Sequence, residues 1–197
     1  FEYVFISDRF KNDSKDTLEV KLSLNSELLI VKDSVIRVPP NQLGAYRISV
    51  KGSSSIFGFS INSFSLSLGG EEKEELLQLQ YNYLPKVSCS SDCPKLLMAK
   101  TVYNYGSVKK GSVATLKYEL MNNGSSPLVI YNTQFPCACL TRSTSGVITI
   151  PAGETYTLQI LYDVSNLSNA QNKVFYIFTN DPNSVVKTLQ LKGRVIK

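Results

Sequence analysis

The sequence of 197 residues contains no histidine and no tryptophan, and it has no long apolar run. Without histidine the chain cannot form a Ser-His-Asp or Cys-His nucleophile pair, nor a histidine-ligated metal site. No apolar stretch approaches the roughly 20 residues that a transmembrane helix needs. Hydrophobic residues make up 43% of the chain and charged residues 19%. This composition predicts a globular protein of one large domain or two smaller ones.

The charge and the remaining motifs give little support to catalysis or nucleic-acid binding. The formal charge of +5 comes from the half after residue 98, but no basic stripe interleaved with aromatic residues is present. No phosphate-binding glycine loop occurs, and Glu71, Glu72, Glu74 and Glu75 cluster at one turn rather than forming a separated carboxylate pair. We therefore predict no enzyme activity, no cofactor, no metal, no small-molecule substrate and no nucleic-acid partner.

Alternation of polar and apolar residues dominates the chain, and convincing helical periodicity is missing. Residues 17–24 and 46–50 alternate in this way and are bounded by Asn, Ser, Gly or Pro, as half-buried strands are. The charged residues 71–75 follow Gly69-Gly70 and lead into another alternating run, which predicts a hairpin tip. Turn residues recur often enough to predict an antiparallel β-sandwich of about seven strands in each half of the chain.

The two halves also align with each other, mostly at an offset of 112 residues. The aligned blocks are 38–48 with 150–160, Phe64 with Tyr176, Leu66 with Phe178, and 77–79 with 189–191. Upstream, residues 18–22 align with 116–120 at an offset of 98, which predicts 14 extra residues in the second half. We predict that one sandwich was duplicated, giving domains at 1–84 and 100–197 and a cysteine-containing linker at 85–99.

Five short motifs follow one another in the second half. They are Tyr103-Asn104-Tyr105-Gly106, Asn122-Asn123-Gly124 with Pro127, Cys137-Ala138-Cys139, Ile150-Pro151-Ala152-Gly153-Glu154, and Thr179-Asn180-Asp181-Pro182. This ordered set resembles the bacterial Ig-like family catalogued as domain of unknown function fifteen seventy-three, with residues 1–84 as a degenerate second copy. The resemblance implies tandem Ig-like domains. From the residues themselves, we expect Gly106 to end its strand and Asn123-Gly124 to form a turn that needs positive φ.

The resemblance further implies an exported protein, periplasmic or associated with the outer membrane, in bacteria of the Bacteroidota type. The chain starts without an initiator Met or an apolar signal region, and we expect that processing or trimming has removed the export signal. In such bacteria Asp-Ser/Thr-apolar triplets can be O-glycosylated. Thr17 and Ser34 stand in such triplets and are the candidate acceptors.

The four cysteines form two closely spaced pairs, Cys89 with Cys93 and Cys137 with Cys139. An even count in a β-rich chain of this family suggests an oxidising compartment. We favour a local Cys89–Cys93 bridge, although cross-pairing between the two pairs stays open. A Cys137–Cys139 bridge would close a small strained ring and could be redox-active, or these two could remain free thiols. A four-thiolate zinc site is a further alternative.

Aromatic residues flank the linker and suggest an interaction surface. Tyr81 and Tyr83 precede it, and Tyr103 and Tyr105 follow it, so these side chains either pack inside the protein or form a patch for a partner. We predict a non-catalytic binding or assembly module of the cell envelope, which engages a protein partner through an edge strand or the interdomain surface and reaches the membrane only through that partner. The alternative is a thiol-based redox or metal-handling periplasmic protein that uses Cys137 and Cys139.

Overall fold

A computed structural model describes residues 3–52, 57–69 and 74–197, and it divides the chain into two compact units, Phe1–Tyr83 and Leu84–Lys197. The described residues form strands and loops without a helix, which confirms the prediction of two tandem Ig-like β-sandwiches. No helix in this described part of the chain is long and apolar enough to cross a membrane. Of the predicted hairpin tip at residues 71–75, residues 71–73 lie outside the described residues, and Glu74 and Glu75 belong to a strand.

The described residues of the first unit form seven strands in two sheets. The strands are β1 (Tyr3–Lys11), β2 (Leu18–Leu24), β3 (Leu29–Val31), β4 (Val35–Val38), β5 (Leu43–Lys51), β6 (Gly58–Leu68) and β7 (Glu74–Tyr83). One sheet has the order β1-β5-β3 and the other β4-β2-β6-β7, and every pair is antiparallel. Alternate residues of both sheets, among them Leu22, Ile48, Val50 and Phe64, form the buried core between them.

The second unit contains nine strands, also in two sheets. They are β8 (Leu96–Leu97), β9 (Val102–Lys109), β10 (Val113–Asn122), β11 (Leu128–Gln134), β12 (Leu140–Arg142), β13 (Ile148–Ile150), β14 (Thr155–Asp163), β15 (Asn169–Thr179) and β16 (Val186–Ile196). The sheet orders are β12-β14-β10-β8 and β13-β11-β15-β16-β9. All pairs are antiparallel except that β9 runs parallel to β16. The core of this unit includes the fully buried Tyr118, Tyr162 and Phe175.

The seven strands β1–β7 have the same pairing pattern as β10–β16. In each set the first strand pairs with the fifth, the fifth with the third, the second with the fourth and sixth, and the sixth with the seventh. The offset of 112 predicted for β4, β5 and β7 agrees with this pairing. The offset predicted for β6 is wrong by one residue, because Phe64 faces Leu77 across its strand pair as Phe175, not Tyr176, faces Leu189.

The predicted offset of 98 is wrong as well, since β2 corresponds in pairing to β11 and not to β10. Leu18 lies opposite Val38 in the first unit as Leu128 lies opposite Ile150 in the second, which makes the offset 110. The cysteine loop is therefore no 14-residue insertion. It joins β11 to β12 over residues 135–139, and the corresponding loop of the first unit, residues 25–28, is one residue shorter.

Strands β8 and β9 have no counterpart among the described residues of the first unit. Both come from the stretch that follows Tyr83. β8 lies in the segment that we predicted to be a linker, yet it pairs with β10 through Leu97 opposite Met121 and Leu96 opposite Asn122. The end of the predicted linker thus belongs to the second sandwich.

Candidate functional site

Two buried asparagines, Asn12 and Asn122, tie loops to strands in the same way in the two units. Asn122 is completely buried; its Nδ2 donates to the carbonyls of Ser126 (2.8 Å) and Ile150 (3.0 Å), and its Oδ1 accepts from the Gly124 amide (3.0 Å). The corresponding partners of Asn12 are the carbonyls of Asp16 and Val38, both at 2.8 Å, and the amide of Ser14 at 3.0 Å. Because buried amide groups must be hydrogen-bonded, each asparagine fixes the loop around it.

The backbone of each asparagine also pairs with the proline-led turn before the fifth strand of its unit. The Asn122 amide donates to Glu154 and its carbonyl accepts from Gly153, as Asn12 pairs with Gln42 and Asn41. Gly153 has φ of 79° and Asn41 has φ of 59°, the left-handed region in which glycine and asparagine are the usual residues. The two sandwiches therefore share residue-level wiring, which sequence analysis missed because neither asparagine stands in an apolar pattern.

The segment before β8 is bonded to the loop after β10. The Asn123 amide donates to Lys95 (2.8 Å) and the Ser125 amide to Cys93 (3.1 Å). Gly124 lies against this segment, and a Cβ there would collide with the Cys93 carbonyl. The predicted need for positive φ at Gly124 is wrong, since Gly124 is not among the residues with positive φ; glycine is required for close approach of two backbones.

The Thr-Asn-Asp-Pro motif, in the turn between β15 and β16, forms hydrogen bonds to β8 and to the start of β11. Asp181 is buried, and its carboxylate accepts from the amides of Leu96 (2.8 Å) and Asn183 (2.8 Å). The side chain of Asn180 bonds the Val129 amide (2.7 Å) and the Pro127 carbonyl (3.0 Å). The motif thus fastens β8 and the start of β11 to the β15–β16 turn.

Edge strands are the surfaces on which this fold leaves backbone donors and acceptors free. Edge strands that are long and uncharged invite pairing with another chain, whereas short, charged or bulged ones resist it. Among the described residues, the edges β3, β4, β8, β12 and β13 have only two to four residues. β1 carries the exposed charges of Asp8, Arg9 and Lys11.

The edge strand β9 is interrupted by a bulge. Its register to β16 shifts between Asn104 and Gly106, and Gly106 has φ of 70°. The prediction that Gly106 ends its strand is wrong, since β9 continues to Lys109. The ring of Tyr105, the extra residue, lies over Gly193, where a Cβ would collide with it.

The remaining edge is the side of β7 (Glu74–Tyr83) that faces away from β6, which we name the β7 edge. β7 has ten residues, an uninterrupted register to β6, and no charge or proline from Leu76 to Tyr83. It corresponds to β16, the strand that β9 covers in the second unit. The β7 edge is therefore the long, uncharged and unbulged edge among the described residues.

Tyr81 occupies the position on β7 that Gly193 has on β16, since both lie four residues after the matched Leu77 and Leu189. Tyr81 is buried, and its hydroxyl accepts a hydrogen bond from Asn62 Nδ2 (2.9 Å). Burial raises the pKa of Tyr81, against the lowering effect of hydrogen bonds from Ser60 and Asn62. The ring that Tyr105 supplies from a neighbouring strand in the second unit is thus supplied by β7 itself in the first.

The other three tyrosines proposed for interaction also pack within their own units. Tyr83 stacks on Phe57 with ring centroids 5.1 Å apart, Tyr103 packs on Tyr118 at 5.6 Å, and Tyr105 packs on Tyr162 at 5.5 Å. All three are half-buried. Their use as a partner surface stays a prediction.

Both cysteine pairs lie at disulfide distance. Cys89 bridges Cys93 with a Cα–Cα distance of 5.7 Å, and Cys137 bridges Cys139 with 5.2 Å. The Cys137–Cys139 pair is half-buried against the second core, and the Cys139 carbonyl accepts from Asp163 (2.9 Å). In the described ranges no group of three or more His, Cys, Asp or Glu residues is arranged to hold a metal.

The candidate glycosylation residues are accessible. Thr17 lies in the β1–β2 loop and Ser34 in the β3–β4 loop, and both are exposed. Their modification stays a prediction.

Comparison with known proteins identifies the second unit. The family model described as "Protein of unknown function (DUF1573)" matches residues 96–195, which run from β8 to β16. The match does not reach the first unit, so the degenerate second copy is not confirmed. No curated protein matches the chain.

Among solved structures, a protein of unknown function from Porphyromonas gingivalis W83 is similar with a TM-score of 0.61 and 15% identity, over 98% of this chain and 91% of that one. At this identity the similarity shows the fold alone. The PapD-like domain 7 of human CEP192 has a TM-score of 0.43 and 11% identity, over 59% of this chain and 95% of that one. The Pseudomonas aeruginosa CupB2 chaperone has a TM-score of 0.34 and 11% identity, over 94% of this chain and 91% of that one. Both of these scores are too low to bear on function.

Proposed function

This chain belongs to the family described as Protein of unknown function (DUF1573), and we propose that it is a non-catalytic binding or assembly module of the bacterial cell envelope. It engages another protein through an edge strand of a sandwich. The observation that carries this proposal is the open architecture of the sheets: in the described part of the chain each sheet ends in strands that have a neighbouring strand on one side only. Free backbone groups of this kind bind an added strand through main-chain hydrogen bonds.

The two cysteine bridges support the compartment. Disulfides persist in oxidising environments such as the periplasm, and both pairs lie at bonding distance. We place the protein in the periplasm or at the outer membrane, where it reaches the lipid through its partner. Thr17 and Ser34, exposed in loops, are the acceptors if the chain is glycosylated there.

The proposal is tested by capturing the tagged chain after crosslinking in intact cells and measuring amide hydrogen exchange of the purified complex. We expect an envelope protein to be retained in stoichiometric amount and protection to concentrate on one edge strand. Protection confined to loops or sheet faces would contradict the edge mechanism. Recovery of the chain without any envelope partner would contradict the function itself.

A second candidate function rests on the half-buried Cys137–Cys139 bridge next to the second core. In this alternative a thiolate of a protein dithiol attacks one sulfur and forms a mixed disulfide. The second thiolate of that dithiol then attacks the mixed disulfide and displaces the cysteine sulfur of this chain. The partner dithiol is thereby oxidised to a disulfide, and Cys137 and Cys139 are reduced to two thiols.

Oxidation of a model peptide dithiol by the chain separates the two functions. If the redox function holds, Cys137→Ser with Cys139→Ser abolishes oxidation of a model peptide dithiol, and the control Cys89→Ser with Cys93→Ser retains it. Absence of oxidation by the unsubstituted chain would end this redox function.

A further inference from the structure

The β7 edge and the outer edge of β16 are the same place in two related sandwiches, but among the described residues only the edge of β16 is covered by another strand. In the second unit β9 runs parallel to β16, and the Gln190 amide donates outward to the Thr101 carbonyl (2.8 Å). Gln78 corresponds to Gln190, so its amide points to the open side of β7. The backbone of the first unit therefore offers the same row of donors and acceptors that binds a parallel strand in the second.

The side chains along β7 determine which residues a strand bound at the β7 edge should carry. Glu75 is exposed near the beginning of β7, and in a parallel pair the partner's N-terminal end lies beside it, so a basic residue there is favoured. Lys187 has the corresponding place on β16, so the second unit does not offer this attraction.

The position opposite Tyr81 must be small. In the second unit Tyr105 fills the space over Gly193, but in the first unit Tyr81 already fills it. A partner with an aromatic residue at that register would collide with Tyr81. The outer face beside the edge carries the exposed Leu76 and Ile61, which favour apolar side chains on that face of the partner.

From these observations, and resting on the proposed function, we propose that the β7 edge binds an extended segment of another protein in parallel orientation. The segment begins with a basic residue, continues with alternating apolar residues, and has a small residue opposite Tyr81. Its backbone hydrogen bonds provide affinity, and Glu75 and Tyr81 provide direction and register.

The test uses the full chain and a peptide taken from its own β9 region, residues 100–109, because the register of that strand on β16 is known. One peptide carries Tyr105→Ser and the other is unsubstituted. We expect saturable binding of the Tyr105→Ser peptide below about 1 mM, with hydrogen-exchange protection of β7 amides, and at least about fivefold weaker binding of the unsubstituted peptide. A nitroxide at the peptide N-terminus should broaden the Leu76 amide and spare that of Tyr83.

Two substitutions at one position give a matched control. Gln78→Pro removes an outward amide without removing a bond to β6, and it should weaken binding at least about tenfold. Gln78→Ala keeps the amide and should bind as the unsubstituted chain does. Glu75→Lys should weaken binding of the peptide, which begins with Lys100. This difference in affinity from the unsubstituted chain should disappear at high salt.

Each other result overturns the inference. Equal binding by the Pro and Ala variants, broadening at Tyr83, or no binding at millimolar peptide would contradict it. Protection of β1 instead of β7 would contradict it and leave the proposed function standing. Concentration-dependent protection of β7 in the chain alone would show that a second copy is the occupant.

Discussion

Asn122 makes four side-chain hydrogen bonds to backbone groups in a fully buried position, the fourth from the Lys95 amide to its Oδ1 (3.3 Å). Removing one partner of a buried hydrogen bond costs the desolvation of the group that remains, about 1–3 kcal/mol. We expect Asn122→Ala to lower the free energy of unfolding of the second unit by about 2–4 kcal/mol. Chemical denaturation measures this, and Asn123→Ala, at an exposed neighbouring position, should change it by no more than about 0.5 kcal/mol. Equal effects of the two substitutions would contradict the role of Asn122.

Tyr118 and Tyr162 are expected to lower the stability of the second unit at alkaline pH. Burial raises the pKa of both hydroxyls above the ordinary value of 10.0, and the Tyr118 hydroxyl donates to the Gln190 carbonyl (3.0 Å). Above pH 10 the unfolded chain loses these protons while the folded chain retains them, so the folded state binds more protons and its stability falls as pH rises.

We therefore expect the free energy of unfolding to be independent of these two groups below about pH 9 and to decline above pH 10, by up to about 1.4 kcal/mol per pH unit for each tyrosine. Tyr118→Phe should make the decline between pH 10 and 12 shallower, although it also removes a hydrogen bond. Denaturation curves across this range measure the slope. An unchanged slope would show that Tyr118 titrates normally in the folded chain.

Sequence analysis located several of these residues but not their roles. Asn123-Gly124 and Asn180-Asp181 were visible as turn signals because Asn, Asp and Gly favour turns locally. Their bonding partners, such as Leu96 for Asp181, are separated from them by as many as 85 residues. A local pattern does not specify such contacts, so the attachment of β8 could not be inferred.

At the level of strands, alternation identified the β-class and most of the second-half turns. It misplaced two equivalences, because a half-buried strand repeats every two residues and matches other strands at several offsets. Residues 18–22 matched 116–120 for this reason, although the pairing makes β2 equivalent to β11. The bulge between Ile130 and Asn132 then shifts the register on β15 by one residue, and no sequence signal marked it.

The place where the second unit begins has a direct test. A fragment starting at residue 84 retains β8, the bond from the Leu96 amide to Asp181 and the bond from the Asn123 amide to the Lys95 carbonyl, whereas one starting at residue 100 loses them and leaves the Asp181 carboxylate buried without the Leu96 amide. We expect the 84–197 fragment to fold and the 100–197 fragment to be less stable by at least about 2 kcal/mol. Urea denaturation of both fragments measures this. Equal stabilities would show that β8 contributes nothing to the sandwich.

For the whole molecule, the chain forms two compact units with separate buried cores. Among the residues whose burial is described, the second core is larger and contains more fully buried side chains, each of which stabilises by about 1.5–3 kcal/mol on burial. We expect two unfolding transitions by calorimetry, with the higher one assigned to the second unit. The transition of the 84–197 fragment should coincide with it. A single transition lost in the fragment would contradict independent folding.

The anchoring of β8 has a mechanical consequence. Any tension that arrives along the backbone from Tyr83 reaches the second sandwich at the stretch between Cys93 and Leu97, where the Asn123, Ser125 and Asp181 bonds bear it first. Under a pulling force these few bonds should rupture before the buried core of the sandwich is disturbed. The segment between Tyr83 and the sandwich would then lengthen while the remaining strands stay folded. The protein would then yield to load in a small, recoverable step ahead of complete unravelling.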